Sequence, residues 1–380
     1  MAETLEPYKA DLAGLAARDR LRTLAPRAGL DFASNDYLGL AESRELSAAA
    51  AAAVARGVPV GAGGSRLLRG NHPEHEALEA QAARFFHAES ALFFGAGFSA
   101  NEALLSTLPQ REDMIFYDAL IHASAHDGMR LSRAPCAAFA HNDVGALGYA
   151  IVGWRAKGGK GRPWIAVESL YSMDGDIAPL HELMALADRH DAFLLIDEAH
   201  ATGVYGPGGR GLAAGFEGRE NVISVHTCGK ALGASGALVC LTAPLRDFLV
   251  NRCRNFIFAT APSPLVAACV RAALKIVESS EDRRAALRDR VALAGRELQR
   301  LCGVAPSGSQ VQPVIVGADA LAMSLASRMR MRGYDIRAIR PPTVPEGTAR
   351  LRLSLTLNVS AAQTTQMISD LAEELAKAKA

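Results

Sequence analysis

Short apolar runs recur between residues 90 and 241, and polar or helix-forming stretches separate them. Several runs are apolar throughout rather than alternating, which is typical of strands covered on both faces of a sheet. This alternation of strand and helix predicts an α/β fold with a seven-stranded, mostly parallel, doubly wound sheet. The predicted strands are 91–94, 114–117, 137–139, 164–168, 193–197, 222–227 and 237–241. The predicted helices between them are 99–108, 119–131, 143–156 and 179–190.

The two ends of the chain follow different patterns. Leu5, Leu12 and Leu15 are spaced for an amphipathic helix, and a turn-rich stretch follows them. The last 116 or so residues are first strongly helical, over 265–301, and then carry strand patterns near 312–316 and 349–357. We therefore predict three regions, namely an N-terminal arm at 1–45 that packs with the small domain, a large domain at 46–264 and a small α+β domain at 265–380.

The last helix carries its own start signal. Ser360 and Gln363 have the spacing of a capping box, in which each side chain binds the backbone N–H of the other residue. The positions that then predict one apolar helical face are Met367, Ile368, Leu371 and Leu375.

Composition narrows the class of protein. The chain has 380 residues, which favours two domains, and 49% of them are hydrophobic. The net charge of +1 gives no reason to expect nucleic acid or an acidic membrane as partner. The polar N-terminus does not resemble a signal peptide, and no apolar run approaches the length of a membrane span. Six cysteines without a CxxC pair are typical of reduced thiols, so we expect a cytoplasmic protein without a metal site.

The first chemical signal is GAGFSANEALL at 95–105, which follows an apolar run and opens a predicted helix. Small residues at a helix start let backbone N–H groups approach a phosphate. Ser99 and Glu102 also have capping-box spacing. Gly95, Gly97 and Ala100 satisfy the looser pattern of a dinucleotide fold, with Asp118 near the place of the ribose-binding acid. Phosphate binding is the favoured interpretation, and a dinucleotide stays possible at this point.

His122 follows the next strand and starts a helix, so it should lie at the same edge of the sheet. A flat imidazole at that place could stack on a planar ring. His126 lies four residues later, a spacing that suits a metal, but the glutamate of an HExxH motif is absent. A structural histidine is the plain alternative.

Two further strands end next to an acid and a lysine. Asp197 closes the apolar run FLLID, where an unpaired carboxylate would be costly, and His200 follows it. The tetrapeptide DEAH at 197–200 also occurs in helicases, but neither Gly-Lys pair of the chain fits the phosphate loop that helicases need. Lys230 lies in a turn of small residues after the following strand. A lysine that forms a Schiff base and an acid that binds a pyridinium nitrogen are what a pyridoxal phosphate enzyme requires.

The order of these motifs resembles the fold type I pyridoxal phosphate enzymes and, among them, the α-oxoamine synthase family. The resemblance covers nearly the whole chain. It rests on the stretches SNDYLGL (34–40), GAGGSRLLRGNHPEHEALE (61–79), SMDGD (172–176), DEAHATGVYGPGGRG (197–211) and TCGKALG (227–233).

The resemblance implies a role for each matched residue. Lys230 would bond the cofactor pyridoxal 5′-phosphate and move the substrate's α-proton, and Asp197 would bind the pyridine nitrogen. His122 would stack on the ring, while His200 and Ser172 would bind the ring hydroxyl. The phosphate would be held by Gly97, Phe98 and Thr227, and by Thr260 from the other subunit of a homodimer.

The same resemblance implies the substrates. Arg352 would bind the carboxylate of the amino acid, Asn35 would contact the substrate, and Arg22 and Thr343 would lie near the acyl chain. The stretch IRPPTVPEGTARLRLSL (339–355) is most similar to the family's biotin-pathway branch, which condenses L-alanine with pimeloyl-CoA or a pimeloyl carrier protein.

The chain departs from its relatives at a few positions near the cofactor residues. Cys228 lies between Thr227 and Gly229, where relatives carry other residues. Ala259 and Ala261 flank Thr260, where some relatives carry serines. The second difference could remove a phosphate-binding hydroxyl.

Three alternatives stay open from the sequence. One is another α-oxoamine synthase, such as glycine C-acetyltransferase (2-amino-3-ketobutyrate CoA ligase). The second is an NAD-dependent dehydrogenase built on the glycines at 95–97, and the third is a non-catalytic binding protein on the same fold. Lys230, Asp197 and Arg352 occurring together argue against the third.

Overall fold

The computed structural model describes residues 3–379. They form two compact units, of which the larger comprises Leu38–Ser172 and Ile177–Arg284. The smaller comprises the residues before 38, the short segment Met173–Asp176 and the residues after 284. The helix Pro264–Ser279, which we expected in the small domain, packs against two helices of the larger unit. The predicted domain boundaries at 45 and 264 stay a prediction. The outermost predicted regions, 1–45 and 265–380, also include residues outside the described range.

Twelve strands occur in the described part of the chain. They are β1 (Leu30–Asp31), β2 (Ser90–Phe94), β3 (Met114–Asp118), β4 (Cys136–Phe139), β5 (Pro163–Glu168), β6 (Phe193–Asp197), β7 (Val222–Thr227), β8 (Ala237–Leu241), β9 (Val311–Gly317), β10 (Tyr334–Asp335), β11 (Arg337–Ile339) and β12 (Ala349–Ser354).

The seven strands β2 to β8 form one sheet in the larger unit, in the order β2-β8-β7-β6-β5-β3-β4. All seven are the strands predicted from the sequence, so the α/β prediction is confirmed. The strands β3 to β7 are parallel, whereas β8 runs antiparallel to both of its neighbours, β7 and β2. Six strands therefore end at the same edge of the sheet.

Both faces of this sheet are covered, as the uniformly apolar strands predicted. In β6, Leu195 packs into one hydrophobic cluster, while Leu194 and Ile196 pack into the cluster on the other face. Successive side chains of a strand point to opposite faces, so each cluster takes every second residue. Helices supply the rest of both clusters.

The helices of the described chain are α1 (Glu6–Ala17), α2 (Arg44–Ala55), α3 (Pro73–Phe86), α4 (Gly97–Thr107), α5 (Ala123–Leu131), α6 (Val144–Ala156), α7 (Leu180–Arg189), α8 (Ala243–Arg252), α9 (Arg254–Ile257), α10 (Pro264–Ser279), α11 (Glu281–Glu297), α12 (Asp319–Met331) and α13 (Ala361–Lys379). Short turns of other helical types lie at Glu3–Leu5, Pro207–Gly209, Leu212–Gly215 and Leu298–Cys302.

The smaller unit is an α+β arrangement. Its three-stranded antiparallel sheet has the order β11-β12-β9, and β1 pairs with β10 in a separate parallel ribbon. The predicted capping box at the start of α13 is confirmed, since Gln363 N–H donates to Ser360 Oγ and Ser360 N–H donates to Gln363 Oε1. Met367, Ile368 and Leu371 then face the hydrophobic cluster of this unit.

The structure also bears on the predicted N-terminal helix, on the cysteines and on a membrane span. The predicted N-terminal helix forms as α1, but none of its residues is buried, and Leu12 is 51% exposed. All six cysteines are free thiols. Within residues 3–379, no helix is both long enough and apolar enough to cross a bilayer.

Candidate active site

Lys230 lies in a tight turn between β7 and β8. Gly233 N–H donates to the Lys230 carbonyl at 2.8 Å, and Gly233 has a φ of 63°, a conformation that favours glycine. The turn places Lys230 Nζ 2.8 Å from His200 Nε2. His200 itself is buried, in the loop after β6. The structure therefore brings together two of the predicted cofactor residues, an amine and an imidazole that can exchange a proton.

Asp197 is the last residue of β6 and is 6% exposed. One carboxylate oxygen, Oδ1, accepts the backbone N–H of Ala199 at 2.9 Å. The other, Oδ2, accepts a hydrogen bond from Asn101 Nδ2 at 2.6 Å. These donors fix the direction of the carboxylate.

His122 caps the start of α5, four residues after the end of β3. Its Nδ1 accepts the N–H of Ser124 at 3.3 Å and lies 2.7 Å from Ser124 Oγ. The ring is exposed, and the Phe98 ring meets it edge to face, with centroids 6.4 Å apart. Surrounding protein lowers the pKa of His122, although the Asp197 carboxylate acts in the opposite direction. The imidazole is thus neutral near pH 7 and open for stacking.

The loop after β2 and the end of β7 meet closely. Helix α4 begins at Gly97, and a Cβ atom at that position would lie 2.4 Å from Thr227 Cγ2. Only glycine fits there without displacing Thr227. The N–H groups of the first turn of a helix need partners from outside the helix, so those of Gly97 and Phe98 can bind an anion.

The capping box predicted at the start of this helix is wrong. The residue before the helix is Ala96, and Ser99 Oγ donates to the Ala96 carbonyl instead of accepting from a backbone N–H. The helix starts two residues before the predicted start at 99, so Ser99 already lies inside its first turn. This leaves the helix N-terminus without a side-chain cap.

Two buried residues of this region were missed in the sequence. Glu168 ends β5 and is the Cα partner of Asp197 in β6. Its Oε2 accepts the N–H of Ser172 at 3.0 Å, while its buried Oε1 has no hydrogen-bond partner. Burial raises the pKa of Glu168 to about 8, and the negative charge of Asp197 adds to the shift. Glu168 repeats the signal used for Asp197, an acid that closes an apolar strand. The second missed residue is Asn101.

The structure also bears on the alternative ligands. Asp118 cannot serve as the ribose-binding acid of a dinucleotide site, because Leu120 N–H, Asn142 N–H and the His141 ring already bind its buried carboxylate. The preceding strand β2 lies at the sheet edge beside an antiparallel strand, whereas the dinucleotide motif follows a strand of a parallel sheet core. No group of three or more His, Cys, Asp or Glu side chains in the described chain could hold a metal.

The predicted substrate residues lie in the smaller unit. Arg352, in β12, is 7% exposed and donates from Nη1 to Asn35 Oδ1 at 3.1 Å and to Ser354 Oγ at 2.7 Å. Arg22 and Thr343 are both exposed, and Arg22 Nη2 donates to Thr343 Oγ1 at 3.2 Å. The structure thus pairs Arg352 with Asn35 and Arg22 with Thr343.

Thr260 lies on the surface of the larger unit. It is exposed and forms an isolated antiparallel bridge with Ser65. The neighbouring N–H of Ala261 donates to the Gly64 carbonyl at 2.8 Å. These contacts hold Thr260 on a fixed stretch of backbone that faces outward.

Comparison with known proteins identifies the family. A family profile described as aminotransferase class I and II matches residues 27–371. The 8-amino-7-oxononanoate synthase of Anaeromyxobacter dehalogenans is 42% identical to this chain over 382 residues, which cover 96% of this chain and 94% of the relative. The chain belongs to the 8-amino-7-oxononanoate synthase family. Another member, from Aromatoleum aromaticum, is 42% identical over 93% of this chain and 94% of its own length.

Solved structures of the same fold agree with this family. The 8-amino-7-oxononanoate synthase of Francisella tularensis is 29% identical, covers 93% of this chain and 99% of its own, and has a TM-score of 0.77. The serine palmitoyltransferase of Sphingomonas wittichii is 29% identical, covers 99% of this chain and 98% of its own, and has a TM-score of 0.88. A further serine palmitoyltransferase structure, 25% identical, contains pyridoxal phosphate.

The residues of the larger unit fit pyridoxal phosphate. A lysine amine at the sheet edge is the group that bonds an aldehyde, and the oriented Asp197 carboxylate suits a protonated ring nitrogen. The exposed His122 ring and the uncapped start of α4 match a flat ring and a phosphate. The buried Asn101 Oδ1 and Glu168 Oε1 have no hydrogen-bond partner, which is typical of groups beside a ligand site.

Proposed function

We propose that this member of the 8-amino-7-oxononanoate synthase family condenses L-alanine with a pimeloyl thioester of CoA or of a carrier protein. The products are 8-amino-7-oxononanoate, CO₂ and free CoA or carrier, as a step of biotin biosynthesis. The observation that carries the proposal is 42% identity to such synthases over nearly the full length of both chains. The cofactor is pyridoxal 5′-phosphate.

In the larger unit, Lys230 would bond the cofactor and Asp197 would pair with its ring nitrogen. His122 would stack on the ring, and His200 and Ser172 would bind the ring hydroxyl. The phosphate would take the N–H groups of Gly97 and Phe98, the hydroxyl of Thr227 and Thr260 of a second subunit. When bound, pyridoxal phosphate supplies an electron sink for the bond broken at the amino acid's α-carbon.

The protein's own groups would perform the proton transfers. With alanine bound, Lys230 Nζ would take the α-proton of alanine as a general base. His200, 2.8 Å from Nζ in the structure, can stabilise the neutral or the protonated amine as the reaction demands. After the acyl group is transferred and CO₂ leaves, Lys230 returns a proton to the same carbon.

Arg352 would orient alanine. Its guanidinium is buried and held by Asn35 and Ser354, so its position is fixed, and it would bind the carboxylate of alanine. The exposed pair of Arg22 and Thr343 would contact the acyl chain. Both pairs lie in the smaller unit.

The test is turnover with three substrate pairs, because family members differ in them. We expect alanine with pimeloyl-CoA to outcompete glycine with acetyl-CoA and serine with palmitoyl-CoA. The last pair is included because a serine palmitoyltransferase has a TM-score of 0.88 with this chain. A preference for either of the other pairs would overturn the proposed substrates.

The role of Lys230 has its own test. Lys230→Ala should abolish turnover, and borohydride reduction of the wild type should attach the cofactor to Lys230 alone. If Lys230→Ala keeps normal turnover, the proposed mechanism is wrong.

We further propose a cytoplasmic homodimer. Thr260 faces outward, as a residue given to a partner subunit must. Leu5, Tyr8 and Leu12 of the α1 region are each more than half exposed, and a second copy would cover them. Sedimentation equilibrium measures the mass directly, and a monomer at assay concentration would contradict the dimer.

A further inference from the structure

Asn101 lies in α4 and is 2% exposed, so it can exchange no hydrogen bonds with bulk water. Its side-chain nitrogen has two protons, and the structure uses both. Nδ2 donates to Asp197 Oδ2 at 2.6 Å and to Ser124 Oγ at 3.0 Å. Asn101 therefore connects the acid at the end of β6 with the start of α5.

The orientation of this amide is forced. Turning it over would place its oxygen 2.6 Å from a carboxylate oxygen of Asp197, and two acceptors at that distance repel each other. In the orientation present, Asn101 Oδ1 is buried without a hydrogen-bond partner, which is unfavourable for folding. Because the buried oxygen without a partner costs folding free energy, we infer that the amide is retained for the hydrogen bonds that it donates to Asp197 and Ser124.

Ser124 passes the interaction on to His122. Its hydroxyl accepts the proton of Asn101, so its own proton is free to point at His122 Nδ1, which lies 2.7 Å away. The Ser124 N–H also donates to Nδ1, at 3.3 Å. Because Nδ1 accepts in both contacts, a neutral His122 carries its proton on Nε2.

We propose that Asn101 is a positioning residue which, with Ser124, sets the direction of the Asp197 carboxylate and the direction and tautomer of the His122 ring. Through the first hydrogen bond it keeps the Asp197 carboxylate directed at the cofactor's ring nitrogen. Through Ser124 it keeps the Nδ1 atom of His122 as an acceptor and holds the imidazole flat against the ring. The inference rests on the proposed roles of Asp197 and His122 toward pyridoxal phosphate.

The experiment titrates apoprotein with pyridoxal 5′-phosphate and records the dissociation constant and the visible absorption as functions of pH. Asn101→Leu keeps the volume and loses both donors, so its dissociation constant should rise about 10- to 100-fold at every pH. Asn101→Asp should bind more tightly than Asn101→Leu at low pH, where the introduced carboxyl has one proton to donate to Asp197. Its binding should weaken as the pH rises and that donor is lost.

Ser124→Ala should move the pH dependence of the absorption band more than the dissociation constant, since His122 and Asn101 lose a partner while the hydrogen bond from Asn101 to Asp197 stays. Ser106→Ala is the matched control. It removes a hydroxyl from the same helix as Asn101, where that hydroxyl donates to the Ala103 carbonyl. Its titration should equal that of the wild type.

Circular dichroism identifies any variant that does not fold. If Asn101→Leu does not fold, the proposal is tested by the dissociation constants of Asn101→Asp for pyridoxal phosphate at low and at high pH. Wild-type affinity and wild-type pH dependence in a folded Asn101 variant would overturn the proposal. Failure of the proposed function is distinguishable, because the wild type itself would then prefer another substrate pair or would not attach the cofactor to Lys230, whatever the Asn101 variants do.

Discussion

At the scale of single residues, the site contains two buried acids, Glu168 and Asp197, with different hydrogen-bond partners. Glu168 and Asp197 end neighbouring strands as direct Cα partners, and both are nearly buried. Asp197 has two hydrogen-bond donors on its carboxylate, whereas Glu168 has one backbone donor and an orphaned oxygen. Burial, together with the negative charge of Asp197, raises the pKa of Glu168 to about 8, so Glu168 is protonated at neutral pH.

This difference predicts a pH effect for Glu168→Gln in the apoprotein. The folded-state pKa of about 8 lies above that of the unfolded chain, so the stability from Glu168 is full at acid pH and is lost as the pH rises through about 8. Glutamine has no such proton. We expect nearly equal unfolding free energies below the unfolded pKa of 4.5, and a variant more stable by on the order of 5 kcal/mol near pH 9.

Urea unfolding at a series of pH values measures this difference. Glu89→Gln, at an exposed glutamate, is the matched control and should give no pH-dependent difference. A constant offset between wild type and Glu168→Gln across the pH range would show that Glu168 is ionised throughout.

The sequence predicted the charged residues of the site better than the polar ones. Asp197 and Lys230 stand out because ionised side chains are rare beside apolar strands. Asn101 gave no such signal, because an asparagine within a helix is usually solvated, and only the fold brings it to Asp197. Glu168 could have been found, since it closes its strand as Asp197 does, but its place beside Asp197 depends on the strand order.

At the scale of elements, strands were easier to predict than helix starts. A buried strand is marked by its own side chains, and all seven in the large sheet were found. The start of a helix depends on local hydrogen bonds instead. Residues 119–122 form a turn on Asp118, whose Oδ1 accepts the N–H of Leu120 and whose carbonyl accepts that of Ile121, so α5 starts at Ala123 and not at 119.

The close approach of α4 to β7 predicts the effect of Gly97→Ala. The new methyl group would lie 2.4 Å from Thr227 Cγ2 and would force Thr227 to turn or the helix to shift. Either movement disturbs the proposed phosphate site, so the dissociation constant for pyridoxal phosphate should rise about tenfold.

Adding Thr227→Ser to Gly97→Ala should restore the affinity for the cofactor. Serine keeps the hydroxyl and lacks the methyl group that meets the new Cβ, so the double variant should recover most of the affinity. Thr227→Ser alone should bind nearly as the wild type does. If the double variant is as weak as Gly97→Ala, the contact with Thr227 is not the cause.

The loop after His200 is held by one buried acid, which gives a second prediction at this scale. Glu198 Oε2 accepts the N–H of Leu212 at 2.8 Å and Oε1 accepts that of Ala213 at 3.0 Å. Glutamine has only one oxygen, so Glu198→Gln leaves one of these N–H groups facing an amide N–H. We expect a loss of about 1–3 kcal/mol in unfolding free energy.

Hydrogen exchange locates this effect. The amides of Leu212 and Ala213 should exchange faster in Glu198→Gln, and Glu220→Gln, at an exposed glutamate, should leave them unchanged. Unchanged protection in Glu198→Gln would mean that other contacts hold the loop.

At the scale of the whole molecule, the proposed tasks divide between the two units. The proposed cofactor residues lie in the larger unit, and Arg352, Asn35, Arg22 and Thr343 lie in the smaller. The helix predicted around Leu12 forms as α1, but its apolar side chains are exposed, and a single chain's sequence cannot show whether the proposed second subunit covers them. The same limit applies to Thr260.

This division predicts that Arg352→Lys weakens the binding of alanine and leaves the binding of the cofactor unchanged. Lysine keeps the charge but loses the paired donors, so the KM for alanine should rise about 10- to 100-fold. The dissociation constant and absorption of the cofactor should not change. Arg337→Lys, at the residue opposite Arg352 in the sheet, is the control and should leave both quantities unchanged. Weaker cofactor binding in Arg352→Lys would contradict the division.

The segment Met173–Asp176 belongs to the smaller unit although its sequence neighbours belong to the larger. Arg350 Nη1 binds the Met173 carbonyl and Asp174 Oδ1, at 3.2 Å and 2.6 Å, and Gly175 lies so close to Val311 that a Cβ atom could not be added. The backbone therefore changes units four times. A gene fragment starting at residue 285 would encode a truncated smaller unit lacking two of its pieces, and no single cleavage of the chain could release that unit intact.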